Sequence, residues 1–95
     1  MDCKFEPGEI IITSGIYERA LLNKEFNSFL GESLGRHLAG DWGDISDEDK
    51  ASNDAAISPG QEERLLSSYS FQGEKIWIIT ECDRSVTTIL FPEEY

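Results

Sequence analysis

The C-terminal third of the chain constrains the fold most, because it holds three strand-like runs joined by short turns. Side chains alternate along residues 65–71, and residues 75–80, Lys-Ile-Trp-Ile-Ile-Thr, are apolar on both faces. Residues 86–91 are mostly β-branched or apolar. The turns at 72–74 and 82–85 are too short for a crossover, so neighbouring strands must run antiparallel. The pattern predicts a three-stranded meander whose middle strand is buried on both faces.

A further strand and a short helix are predicted near the N-terminus. Three consecutive isoleucines within residues 9–13 favour an extended backbone, and Pro-Gly and Ser-Gly pairs bound the run. Residues 16–22 are predicted to form a short helix. The side chains of this helix that we expect to face the core are Ile16, Ala20 and Leu21.

Two more helices are predicted before the meander. Asn23 is a suitable N-cap for the first, and Gly40 lies where a left-handed residue would end it. The apolar stripe between them recurs at helical spacing: Phe26, Phe29, Leu30, Leu34 and Leu38. Ser46 is a suitable cap for the second, whose acidic first turn suits the positive end of the helix dipole. Its thin apolar face is expected to consist of Ala51, Ala55 and Ala56.

Together these elements predict one α+β domain over residues 1–95, a three- to four-stranded, mostly antiparallel sheet with helices packed on one face. No apolar run approaches the roughly 20 residues of a membrane span, and the N-terminus lacks the pattern of a secretory signal. We therefore expect a cytoplasmic protein without a membrane partner. Cys3 and Cys82 lie outside any C-x-x-C motif, so we expect both to stay reduced.

Charge limits the partners that the chain can bind. It has 19 acidic and 8 basic side chains and a formal net charge of −11. This balance excludes direct binding to a nucleic-acid backbone or an anionic membrane, because too few cations are present to neutralise phosphates. Residues 41–63, the acidic segment, hold eight of the acids and a single base, Lys50. The acidic segment is compatible with plain solubility, with a basic protein partner, or with mimicry of a nucleic acid.

The junction at residues 37–50, His-Leu-Ala-Gly-Asp-Trp-Gly-Asp-Ile-Ser-Asp-Glu-Asp-Lys, concentrates the candidate functional residues. Trp42 has two interpretations. It closes one end of the core with its indole N–H bonded to a carbonyl, or it is an exposed anchor for a partner within an acidic rim. The candidate partner-binding residues are Asp41, Trp42, Asp44, Asp47, Glu48 and Asp49.

The same junction offers only weak matches to metal sites. His37 and Asp41 are four residues apart, but the helix is expected to end between them, and the chain has one histidine. A calcium loop starting at Asp41 would place Gly43 and Ile45 where oxygen ligands are needed. The sequence has no nucleophile–base motif and no phosphate-binding glycine loop. We therefore predict no catalytic residue, metal or cofactor, and interpret His37 as a polar residue near a helix C-terminus, where positive charge is favourable.

Three stretches carry a resemblance to a known family. They are residues 37–50, quoted above, residues 73–81, Gly-Glu-Lys-Ile-Trp-Ile-Ile-Thr-Glu, and residues 83–95, Asp-Arg-Ser-Val-Thr-Thr-Ile-Leu-Phe-Pro-Glu-Glu-Tyr. Over nearly its whole length the chain resembles small bacterial proteins carried on plasmids, integrative elements and phages, often labelled "plasmid-related protein". Some are labelled as subunit M of a type I restriction enzyme, but this chain is too short for that enzyme. The resemblance implies an accessory role on a mobile genetic element and brings no catalytic residue.

These observations lead to one main hypothesis and two alternatives. We expect a non-enzymatic acidic binding protein of a mobile genetic element. Its most concrete form is an anti-defence protein that inhibits a host nuclease by protein contact or as a nucleic-acid mimic. The first alternative is a regulatory or antitoxin-like partner of a neighbouring protein. The second is a small metal-dependent hydrolase that uses His37, Asp41 and Asp44.

Overall fold

The computed structural model describes residues 3–95, and in this range it contains a four-stranded sheet, three α-helices and a final 3-10 turn. The elements in chain order are β1 Glu9–Ile12, α1 Ser14–Leu22, α2 Lys24–Leu38, α3 Asp47–Ala56, β2 Leu65–Phe71, β3 Glu74–Thr80, β4 Val86–Leu90 and the 3-10 turn Pro92–Glu94. The α+β class is confirmed. None of the helices in this range is both long enough and apolar enough to cross a membrane.

The C-terminal meander is confirmed. β2 pairs antiparallel with β3, and β3 pairs antiparallel with β4, so β3 has a neighbour on each side. Gln72 and Gly73 join β2 to β3 with φ angles of 49° and 84°. Two consecutive positive φ angles are typical of a type I′ hairpin turn, whose twist matches that of the strands. This turn sets the register of the hairpin, in which Phe71 lies opposite Glu74.

The first strand is the part of the sheet that departs from an antiparallel arrangement. The strand order is β1-β4-β3-β2, and β1 pairs with β4 in parallel, with Ile11 opposite Thr88. The chain reaches β1 through Gly8, whose φ is +67° and whose missing Cβ would overlap the carbonyl of Ser85. Three helices separate β1 from the meander, so no hairpin turn forces an antiparallel pairing.

Both predicted ends of α2 are confirmed. The Oδ1 atom of Asn23 accepts hydrogen bonds from the backbone N–H groups of Glu25 at 2.9 Å and Phe26 at 3.1 Å. These two bonds satisfy amides that have no partner within the helix. Gly40 follows α2 with a φ of 83°, the left-handed conformation expected at this position.

The short helix α1 begins earlier than the sequence predicts, because the hydroxyl of Thr13 caps it by accepting from the N–H of Ile16 at 3.4 Å. Ile16 is fully buried, and Ala20, one turn later, is partly buried. Leu21 is 67% exposed, so its predicted place in the core is wrong. It lies about 100° round the helix from Ala20, beyond the narrow face that packs against α2 and β4.

The main core lies between α1, α2 and one face of the sheet. The predicted α2 stripe is buried, except that Leu34 is only partly covered. Aromatic rings fill much of the space, and Phe29 stacks on Phe71 with ring centroids 5.1 Å apart. Each such ring contributes roughly 1.5–3 kcal/mol through burial. The buried members of this core are Ile16, Phe26, Phe29, Leu30, Tyr69, Ile76, Ile78 and Ile89.

The helix α3 packs beside β2 through a smaller contact than the sequence predicts. Of the expected alanine face only Ala56 is buried, whereas Ala51 and Ala55 are exposed. The other buried residue of α3 is Asn53, whose side-chain amide donates to the backbone carbonyl of Leu66 at 2.8 Å. The alanine prediction is wrong for two of three positions because a polar side chain makes the contact with the strand.

Candidate protein-binding surface

Trp42 belongs to a second, smaller core beneath the candidate surface. Its side chain is 3% exposed and packs with Ala56 and Leu65. The indole N–H donates to Oδ1 of Asp54 at 2.8 Å, and the ring stacks with that of Phe5 at a centroid distance of 6.1 Å. Of the two interpretations, the structure agrees with the one in which Trp42 closes one end of the core. The acceptor of the indole N–H is a carboxylate and not the expected carbonyl. The exposed-anchor interpretation is wrong, and Trp42 is not accessible to a partner.

The residues around Trp42 run along the outer edge of β2. Ser68 donates its N–H to the carbonyl of Trp42 at 3.2 Å, and Asp44 donates its N–H to the carbonyl of Ser68 at 2.7 Å. Gly43, between them, has a φ of +75°, and a Cβ atom there would overlap the Ser68 carbonyl oxygen. Only glycine fits this close approach. The path covers the edge of β2 and brings Asp44 to the surface.

Asp41 is engaged in an ion pair. Arg36 holds its carboxylate with two hydrogen bonds, Nε to Oδ2 at 2.7 Å and Nη2 to Oδ1 at 3.2 Å. Hydrogen bonding from this guanidinium holds the pKa of Asp41 below its ordinary value. The Tyr69 hydroxyl donates to the backbone carbonyl of Asp41 at 2.5 Å, and Arg36 lies over the Tyr69 ring. Asp41 therefore ties the end of α2 to β2, and its charge is already balanced.

The other candidate carboxylates are exposed and have no ion-pair partner, and we call them the acidic surface: Asp44, Asp47, Glu48 and Asp49. Within residues 3–95, the ion pairs involve only two acids, Glu74 and Asp41. Ser46 caps α3 as predicted, since its Oγ accepts from the N–H of Asp49 at 3.0 Å. The cap holds the first turn of α3 in place, and the positive end of the helix dipole stabilises its three acids.

An open pocket of about 260 Å³ borders the acidic surface. Its lining includes Asp49 and Asn53 from α3 and Arg64 from the segment before β2. Tyr95 fixes Arg64, because its hydroxyl accepts from the guanidinium at 2.7 Å and its ring lies beneath the cation. Sequence reasoning misses both Asn53 and Arg64, since no local pattern distinguishes them from other polar residues.

His37 is fully buried at the centre of a chain of hydrogen bonds with one possible direction. The Pro7 carbonyl can only accept, so Thr87 donates to it at 2.7 Å. Thr87 must then accept from Thr80 at 2.7 Å, and Thr80 must accept from Nε2–H of His37 at 2.9 Å. The Nδ1 atom is left as the acceptor for the Ser67 hydroxyl at 2.5 Å. The network thus fixes Nε2 as a protonated nitrogen of His37, and in the neutral ring Nδ1 is the acceptor.

The surroundings of His37 reinforce the neutral form. The ring meets Phe5 and Trp42 edge-on, with centroids 5.3 Å and 5.6 Å away. Burial, and to a smaller extent the charge of Arg84, lowers the pKa of His37 to about 4. The interpretation of His37 as a favourable positive charge is therefore wrong. The sequence does contain a signal of burial, because His37 follows Leu30 by seven residues and so continues the apolar stripe of α2.

The structure does not bring His37 together with Asp41 and Asp44. Both ring nitrogens of His37 bond to buried hydroxyl groups, whereas the two carboxylates lie at the surface. Nowhere in residues 3–95 do three His, Cys, Asp or Glu side chains group closely enough to hold a metal ion. Cys3 and Cys82 are free and exposed. His37, Asp41 and Asp44, the residues of the hydrolase hypothesis, therefore do not meet at one site.

Comparisons with protein-family models, with curated proteins and with solved structures find no match to this chain. We therefore infer function from the surface chemistry of the chain itself.

Proposed function

We propose that the protein is a non-enzymatic binding protein that contacts a basic partner protein through the acidic surface. The observation that carries this proposal is the state of the four carboxylates, which are exposed and without ion-pair partners on a backbone fixed by the Ser46 cap and the Gly43 bridge. Like charges displayed on a rigid frame accelerate association with an oppositely charged surface and disfavour other partners.

The acids of the acidic segment have different roles, and this difference supports the same proposal. Three of its acids serve the fold: Asp41 pairs with Arg36, Asp54 accepts the indole N–H of Trp42, and Glu62 accepts the backbone N–H of Gly60 at 2.8 Å. Within the acidic surface only Asp44 accepts a hydrogen bond on its carboxylate, a long one of 3.4 Å from the Ser70 hydroxyl. A charge excess needed only for solubility would not have to be gathered at one helix start and the adjoining loop.

The resemblance to proteins of mobile elements suggests what the partner is. A defence nuclease of the host has a positively charged groove for its substrate, and such a groove fits an acidic surface. The protein would then inhibit the nuclease either by contact beside the groove or by occupying it as a nucleic-acid mimic. Double-stranded DNA distinguishes these modes, because it displaces a mimic and leaves a protein bound elsewhere in place.

Affinity capture from a lysate of the native host tests the proposal. The test variant, Asp47→Asn/Glu48→Gln/Asp49→Asn, removes three charges from the acidic surface. The matched control removes three exposed acids elsewhere, Glu6→Gln/Glu32→Gln/Glu93→Gln, and so changes the net charge equally.

We expect at least one host protein that the wild type and the control capture and that the test variant, which we call the α3 triple variant, does not. All three chains should unfold cooperatively on heating. A captured nuclease of the host supports the anti-defence form, whereas a protein encoded beside this one on the element supports the regulatory alternative. An identical set of captured proteins from all three chains would overturn the proposal.

A further inference from the structure

The exposed apolar side chains are concentrated in one stretch of the chain. Six of the seven large hydrophobic side chains that are exposed within residues 3–95 fall between residues 10 and 22, and the seventh is Tyr95. The three isoleucines of β1 are 41–44% exposed, although they belong to a hydrogen-bonded strand. The six are Ile10, Ile11, Ile12, Tyr17, Leu21 and Leu22. The three isoleucines are consecutive in one strand, and exposed apolar groups that lie together mark an interaction site.

The two edges of the sheet are treated differently. The edge of β2 is covered by residues 42–44, which bond to Ser68 on both sides of Gly43. No segment of residues 3–95 pairs with the outer side of β1, which ends the strand order. Residues 9–12 also lack the lysine, proline or bulge with which proteins block an open edge. β1 therefore presents unpaired backbone groups beside apolar side chains.

The hydrogen bonds to β4 show which backbone groups of β1 are free. The N–H groups of Glu9 and Thr13 donate to β4 and its preceding turn at 3.0 Å and 3.1 Å. Because alternate residues of a strand direct their N–H and C=O to opposite sides, Ile10 and Ile12 direct theirs away from the sheet. Ile11, between them, bonds inward and sends its side chain to the sheet face opposite the helices.

We propose that a second copy of this chain docks on β1 as an antiparallel strand. In the register that pairs the most residues, Ile10 exchanges two backbone hydrogen bonds with Ile12 of the partner subunit, and Ile12 does the same with Ile10 of the partner subunit. Ile11 then lies on the two-fold axis, opposite Ile11 of the partner subunit. The two sheets join into one continuous sheet of eight strands.

Charge identifies a second copy as the occupant. Residues 10–22 hold one acid, Glu18, and one base, Arg19, so this stretch is neutral on a chain of net charge −11. It is therefore a place where two equally charged copies can meet with little repulsion. The antiparallel register sets Glu9 against Thr13 of the partner subunit and keeps the two Glu9 carboxylates apart. The acidic surfaces adjoin β2, at the opposite edge of each sheet, and point away from the contact.

The small size of the contact sets its strength. A contact built on four-residue strands is small, and contacts at the low end of the size range of specific interfaces are typically weak and transient. We therefore expect the dimer to dissociate on dilution. Since this surface and the acidic surface lie at opposite edges, a test of one does not decide the other.

Sedimentation equilibrium of the full chain across the micromolar range is the first test, and it should give a mass that rises from 10.7 kDa toward twice that value. Ile10→Pro should remain monomeric, because it removes an N–H that points outward while leaving the bonds to β4 intact. Ile11→Glu provides a second variant, since it alters only an exposed side chain and sets two carboxylates face to face on the axis. Gln61→Glu, which adds the same charge at an exposed position outside the stretch, should dimerise like the wild type.

Cysteine cross-linking tests the register in a chain that carries Cys3→Ser and Cys82→Ser. Residues on the axis of an antiparallel pair have Cα atoms about 4.5 Å apart, within the range of a disulfide. Ile11→Cys should therefore form a disulfide-linked dimer on oxidation, whereas Ile12→Cys, which faces Ile10 of the partner subunit, should not. A wild type that stays monomeric throughout, or equal cross-linking at the two positions, would overturn the proposal.

Discussion

Mild acid should weaken this fold, because the buried His37 is harder to protonate than a histidine of the unfolded chain. In the network, Nδ1 accepts from Ser67 and Nε2–H donates to Thr80. A proton on Nδ1 would point at the hydroxyl that now donates to it, and the resulting charge would be buried among apolar rings. The unfolded chain binds this proton near pH 6.5, whereas the folded chain binds it only near pH 4.

The sign and size of the effect follow from linkage. Because the pKa of His37 is lower in the folded chain, its contribution is intact above pH 6.5 and is lost as the pH falls toward 4. The interval between these two values, at about 1.4 kcal/mol per pH unit, gives a total loss of about 3 kcal/mol. About 2 kcal/mol of this should already be missing at about pH 5. That is a large fraction of the 5–15 kcal/mol typical of a small domain.

Urea unfolding followed by tryptophan fluorescence measures the loss, since Trp42 lies against the His37 ring. The comparison is the slope of unfolding free energy against pH between about pH 8 and pH 5 for the wild type and for His37→Gln, which cannot titrate. His37→Gln should be less stable at every pH but nearly flat over this interval. Asp41 and Glu94, whose pKa values are lowered by their hydrogen bonds, contribute equally to both chains. Equal slopes would refute the assignment of a neutral His37.

Three further substitutions are each tested by urea unfolding. Two change the backbone, at Gly31 and Gly43, and the third removes the contacts of Arg84 with the end of α3. Gly31→Ala should stabilise the chain by about 0.5–1 kcal/mol, because Gly31 is an exposed helical position with nothing within 4 Å of the added Cβ. Gly43→Ala should prevent or severely weaken folding, because its Cβ would overlap the Ser68 carbonyl; a loss below about 1 kcal/mol would contradict the close approach. Arg84→Met should cost about 1–2 kcal/mol, since its guanidinium donates to the Ala56 carbonyl at 2.8 Å and to that of Glu63 at 2.7 Å. Hydrogen exchange in α3 should accelerate in Arg84→Met and stay unchanged in Gly31→Ala.

Features that depend on neighbouring residues could be predicted from the sequence. The meander follows from short turns between apolar runs, and Gln72-Gly73 indeed adopts the positive φ angles of a tight hairpin. The caps at Asn23 and Ser46 were equally predictable, because a side-chain oxygen two or three residues before a free amide is a local arrangement. The geometry of these interactions is set by residues close together in the sequence and does not depend on the rest of the fold.

Features that depend on distant contacts could not be predicted. Residues 9–12 form a strand as expected, but its parallel partner lies more than seventy positions along the chain. Leu21 has an apolar side chain like those of the core, yet it lies outside the narrow face of α1 that the sheet covers. Asn53 is polar, yet it makes the contact of α3 with β2 because a strand carbonyl is within its reach.

The candidate site divides in the same way. The position of Asp47, Glu48 and Asp49 in the first turn of a capped helix was evident from the sequence. The sequence alone does not decide whether Trp42 is buried, since either interpretation fits a tryptophan between glycines. It is decided by an acceptor twelve residues later, Asp54, and by the Phe5 ring. The junction at residues 37–50 is therefore a structural corner with an acidic outer surface.

The most direct test of the central claim is the affinity of the captured partner for three chains: the wild type, the α3 triple variant and the control with three acids removed elsewhere. Titration calorimetry at low and physiological salt would measure it. If the acidic surface is the binding site, the α3 variant should bind about tenfold or more weakly, a loss of at least about 1.4 kcal/mol. The control should match the wild type, and added salt should weaken the wild type most. Equal affinities of the two triple variants would contradict the account, because net charge and not its position would then control binding.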